Sequence, residues 1–169
     1  IAHFLSGRAL GGGIAWLDEL CGAPSSSNQA AGCASVGSDF VSGGFGVSAD
    51  LDGFFSTPAG IAWDAVVVAH EIGHNFDSPH SHCYRNIGGS SQPVDACYRL
   101  EPGFSCYSGL TTGLPGVGSL SGGSAGGRNG TIMSYCHLLG GGVGNIAGTF
   151  GLGHPYGVQA DRIPNRMSS

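Results

Sequence analysis

The chain contains no lysine; its six basic side chains are all arginine, and only 10% of its 169 residues are charged. A nucleic-acid or anionic-membrane partner asks for a basic face. Six arginines against eleven acids, with a net charge of -5, do not supply one. Long apolar runs are also missing, so no segment reads as a membrane span; no leader peptide is visible at the start, and a mature secreted chain would lack one in any case. No internal repeat divides the sequence, which fits one domain over residues 1–169. Cys-x-x-Cys pairs are absent as well, which argues against a structural zinc ribbon.

What is abundant is glycine, 33 residues, many of them in polar stretches such as 116–130 and 140–148. Hydrophobic segments and cysteines punctuate these stretches, so they read as surface loops of a folded chain. The six cysteines, Cys21, Cys33, Cys83, Cys97, Cys106 and Cys136, are even in number and stand outside any metal-binding spacing. A loop-rich chain needs cross-links, and disulfides imply an oxidising compartment, extracellular or periplasmic. Cys21–Cys33 is the most local pairing, which leaves four cysteines around residues 83–136.

The decisive feature is His70-Glu71-Ile72-Gly73-His74, followed by His80. On a helix advancing about 100° per residue, His70 and His74 lie about 40° apart and can turn their rings to one ion. Glu71 borders the same face, placed to hold a water. Were the helix to continue, His80 would point about 240° from His74. Pro79 disfavours helical backbone at Ser78, and Asp77 tolerates the left-handed conformation of a sharp turn, so His80 can fold back as a third ligand. His82 and Asp77 are rival third ligands, His82 better suited to a surface or supporting role. His3, His137 and His154 have no motif around them and read as structural. Asn129-Gly130-Thr131 matches a glycosylation sequon but is equally a turn signal, the reading preferred here.

Short strands are expected over 1–5, 13–17 and 45–49, and the active-site helix over 57–76, opened by Thr57-Pro58 as cap and first-turn proline. A compact apolar segment follows at 131–137. A last short helix is expected over 155–163, with Gln159, Asp161 and Arg162 opposite Val158 and Ile163. Residues 1–80 would then form an upper part, sheet and helix, and 81–169 a loop-rich lower part, with a ligand cleft between them.

His70-Glu71-x-x-His74-x-x-x-x-x-His80 with Thr131-Ile132-Met133-Ser134-Tyr135 downstream resembles the metzincin pattern of zinc motif and methionine turn. The run His70 to Asn75, with disulfides, is most similar to the adamalysin (reprolysin) group, particularly its microbial secreted members. The resemblance implies an α+β fold with a twisted mixed sheet on the active-site helix, and a zinc-dependent endopeptidase acting on proteins or peptides. His70, His74 and His80 would hold one zinc ion, Glu71 would be the general base, and Met133 an apolar floor under the site. Nothing in the sequence indicates a calcium site.

Three departures from the pattern stand out. Asp77 occupies the place where the family has glycine. Only 69 residues precede His70, fewer than adamalysin-like domains usually have, so an initial strand and helix would be missing or cleaved away, and a propeptide or a missing N-terminal segment would be a further partner. Tyr135, two residues after Met133, is more like astacins and serralysins, where such a tyrosine can bind the zinc and assist catalysis. Beside the enzyme stand two other readings: a zinc-binding interaction module impaired in turnover, and a fragment of a processed protease. Glu71 argues against the first of these.

Overall fold

A computed structural model describes residues 1–18, 25–26, 41–42, 44–54, 61–111 and 124–169. Among these residues five strands, β1 (Ala2–Leu5), β2 (Gly13–Ala15), β3 (Ser25–Ser26), β4 (Val41–Ser42) and β5 (Phe45–Ser48), precede the helix α1 (Trp63–Asn75), and α2 (Arg162–Met167) follows near the end of the sequence. The architecture is α+β. β1, β5 and β2 make a mixed sheet in that order, β5 parallel to β1 and antiparallel to β2, while β3 and β4 form a separate two-stranded pair. The strands expected at 1–5, 13–17 and 45–49 are all present, each shorter by one or two residues.

α1 packs against β2 and β5. The inward positions of β5 are small, Gly46 and Ser48, because His3 of β1 fills the layer between them. A Cβ on Gly46 would stand 2.6 Å from the His3 ring, and His3 Nε2 is hydrogen-bonded to the Ser48 hydroxyl at 2.8 Å. His3 is structural, as expected.

The helix starts later than the sequence suggested, at Trp63 rather than near Thr57, and Thr57-Pro58 lies outside the described residues. Ala62 precedes it in extended conformation and supplies no side-chain cap. Contacts with the loop after β5 fix the start. The Asp64 carboxylate accepts the N–H groups of Asp52 and Gly53, and Trp63 Nε1 donates to the Asp50 carbonyl. An acid in the first turn also favours the positive end of the helix. The helix ends as the sequence implies. Asp77 adopts φ 65°, its N–H reaches His74 O, and the Ser78 N–H reaches Gly73 O. That pair of bonds is a Schellman cap with aspartate in the place usual for glycine.

Beyond α1 the chain is mostly turns, and two apolar clusters hold it together. Val66 of α1 packs with Cys97, Cys136 and Ile146, while Tyr84, Val94, Met133, Ala160 and Ile163 form the second. Disulfides Cys83–Cys106 and Cys97–Cys136 join the loops. Cys21 and Cys33 lie outside the described residues.

The last helix falls at Arg162–Met167 and not over 155–163, because Gly157 and Gln159 both have positive φ. Arg162 does not face solvent either. Its guanidinium is buried and donates to the carbonyls of Tyr84, Ile87, Gln92, Val158 and Gln159, holding irregular backbone that has no ladder to satisfy it.

Candidate metal centre

Three imidazoles converge below the sheet. His70 and His74 come from successive turns of α1, both buried, and His80 arrives from the extended segment after the Asp77 turn. Ring centroids are separated by 4.8 Å (His70–His74), 5.1 Å (His70–His80) and 4.7 Å (His74–His80). One potential ligand atom from each lies within 4.8 Å of the other two.

Each ring is oriented through its Nδ1. His70 donates to the Ile132 carbonyl at 2.7 Å and His74 to the Ser78 carbonyl at 2.6 Å. His80 Nδ1 meets a Glu101 carboxylate oxygen, also at 2.6 Å. With the proton on Nδ1, every Nε2 keeps its lone pair for a cation. Burial, then the neighbouring imidazoles, holds His70 well below the ordinary histidine range, and the same causes bring His74 down to about 4. Both rings are neutral at physiological pH, the state a metal ligand needs.

Glu71 lies beside the triad with its carboxyl packed on the start of β2. A Cβ on Gly13 would come within 2.5 Å of the Glu71 side chain, so glycine there makes room for the acid. Burial pushes Glu71 up to about 8, and its Oε2 is buried without a hydrogen-bond partner among the described residues. A desolvated, unpartnered carboxyl next to three neutral nitrogen donors calls for a cation and a polar molecule between them. This donor set fits Zn²⁺, which takes neutral imidazole nitrogen in three-histidine sites that leave a coordination position open.

Met133 is fully buried beneath the helix. A Cβ on Gly73 would lie 2.5 Å from its sulfur, so Gly73 is the residue that admits the methionine. The Tyr135 ring packs on His80, with centroids 4.3 Å apart, and its hydroxyl is pushed up by burial and then by the charges of Glu101 and Glu71.

Other expectations resolve in detail. Asp77 turns its carboxylate to Arg166, with a shortest N–O distance of 2.8 Å, and not toward the imidazoles. His82 is buried, with Nε2 2.8 Å from the same Glu101 oxygen that takes His80. His154 Nε2 donates to the Asn129 carbonyl, and Asn129 is itself buried, in keeping with the turn and not with a glycan acceptor. No motif in the sequence marks Glu101. The available signal was slight: Glu101 is the one acid between Asp95 and Asp161, downstream of a His-x-His pair.

A cleft of about 500 Å³ opens beside the triad, walled by Gly11–Gly13, Trp63, Val67, Tyr98, His137 and Leu138, with His70, Glu71 and Tyr135 at its base. His137, read from the sequence as structural, therefore also lines the cleft. Gly13 of β2 lines the same space, and among the described residues β2 pairs with β5 alone.

A reprolysin model described as metallo-peptidase family M12 matches residues 1–137, which span the sheet, the triad and the methionine turn. No curated protein and no solved structure matches the chain.

Proposed function

The chain belongs to metallo-peptidase family M12, reprolysin-like, and on that footing we propose that it is a secreted zinc endopeptidase with His70, His74 and His80 as metal ligands and Glu71 as general base. One observation carries the reading: three imidazoles, each anchored through Nδ1, surround a point beside a buried carboxyl oxygen that has no partner among the described residues.

Zinc, when bound, supplies Lewis acidity for a water and for the scissile carbonyl. The rest falls to the protein. An extended peptide would pair with the edge of β2 that carries no strand among the described residues, since Gly13 of that strand lines the cleft. A substrate side chain would enter the space between Trp63, Val67 and Leu138, which is apolar enough to desolvate it. Glu71 would take a proton from the attacking water and deliver it to the departing amine. Tyr135, against His80, would donate a hydrogen bond to the developing oxyanion. Met133 would act through packing alone.

Residues 1–80 and 81–169 would be the upper and lower walls of this cleft. The two disulfides favour an oxidising compartment and support secretion. Loading the metal-free chain with zinc and assaying cleavage of an unfolded protein tests the reading. Activity that returns with zinc and vanishes in Glu71→Gln is expected; a zinc-loaded chain that cleaves nothing would leave a binding module.

A further inference from the structure

Two of the three triad histidines are aimed by main-chain carbonyls, but the third is not. His80 sits outside α1, so the helix does not set its ring, and its Nδ1 meets a carboxylate at 2.6 Å, Oε2 of Glu101. That oxygen also lies 2.8 Å from His82 Nε2. His82 is fully buried, and its Nδ1 has no partner among the described residues. A buried imidazole nitrogen without an acceptor is better left as a lone pair, so the His82 proton sits on Nε2 and is donated to Glu101.

The support for Glu101 is built rather than incidental. The His82 ring stacks on His80, with centroids 5.3 Å apart and planes within 6°, and meets Tyr98 and Tyr135 at an angle on its other contacts. The loop carrying Glu101 is closed by Cys83–Cys106, and the Tyr107 N–H donates to the His82 carbonyl at 2.8 Å. The neck of the loop that carries Glu101 is thereby tied beside His82.

We propose that Glu101 is the positioning residue of the third metal ligand: it fixes His80 with Nε2 toward the metal and strengthens that nitrogen as a donor, while His82 holds Glu101 in place. This rests on the three-histidine reading of the site. Carboxylates bound to the far nitrogen of a ligating histidine commonly tune metal affinity 10- to 100-fold, by about that factor when removed.

The test is a zinc competition titration of the full chain beside Glu101→Gln and Glu101→Ala, with the visible spectrum of the Co²⁺-loaded forms as a second readout. Glu101→Ala should bind zinc about 10- to 100-fold more weakly. Glu101→Gln keeps the shape and one acceptor oxygen, so its loss should be smaller, with the metal-free melting temperature unchanged and the cobalt bands shifted. A purely structural role would not produce that combination. Should Glu101→Ala fail to fold, Glu101→Gln alone decides. Zinc binding by Glu101→Gln within twofold of the parent and an unaltered cobalt spectrum would overturn the proposal. So would a second equivalent of metal lost in either variant, because His80, His82 and Glu101 would then be ligands of another ion. A parent chain that takes up no zinc fails earlier, at the three-histidine reading itself.

Discussion

Arg166 of the C-terminal helix α2 grips Asp77 at the turn that ends α1, 89 residues away in sequence. Its Nε donates to the Asp77 carbonyl at 2.7 Å and a terminal nitrogen reaches the carboxylate at 2.8 Å. The left-handed turn is thus held from outside, which explains how aspartate serves where glycine would be free of strain. Removing the side chain by Asp77→Gly relieves the Cβ penalty but loses a half-exposed ion pair, and the two offset. Unfolding stability should change by less than about 1 kcal/mol. Arg166→Met, which loses the carbonyl bond as well, should cost about 1–2 kcal/mol in urea denaturation. Zinc affinity should stay within about threefold for both. A tenfold loss would mean that Asp77 supports a ligand after all.

Glu71→Gln is expected to retain zinc, because the proposed ligands are the three histidines, and to lose at least about a hundredfold in kcat. Measured side by side, metal content and turnover separate base from ligand. A variant that cleaves as fast as the parent would remove Glu71 from the mechanism.

Gly13 is predicted to matter for geometry alone. A methyl group there would press on the Glu71 side chain from 2.5 Å. Gly13→Ala should therefore bind zinc normally while kcat falls, by about a hundredfold if the carboxyl moves by an ångström. Unchanged kinetics would show that the β2 edge yields instead.

Cys97–Cys136 ties the Tyr98 loop to the segment bearing Tyr135. Replacing both cysteines by serine should lower unfolding stability by about 2–4 kcal/mol. The unfolded, unreduced chain should show no free thiol, and two or more per chain would contradict full pairing.

How much of this could be read from residues alone depends on range. His70, Glu71 and His74 declare themselves because four residues of helix fix their relation, and Asp77, Ser78 and Pro79 announce the turn that returns His80. The start of α1 is not legible in the sequence because it is set by Trp63 and Asp64 reaching the loop after β5, a contact no local pattern encodes. Arg162 read as a surface residue for a similar reason: its five carbonyl partners come from turns up to 78 residues distant. Glu101 belongs to the same class, tied to the site only through folding of the Cys83–Cys106 loop. Short-range periodicity marks the proposed ligands; the groups that aim and brace them are long-range.

Zinc uptake by the metal-free chain, titrated against a chelator of known affinity beside His74→Ala, tests the central claim most directly. One ion per chain should bind tightly, and His74→Ala should lose tight binding because two remaining imidazoles hold zinc poorly. An intact chain that takes up well under one equivalent, or a His74→Ala variant that binds as the parent does, would contradict the metal centre described for His70, His74 and His80.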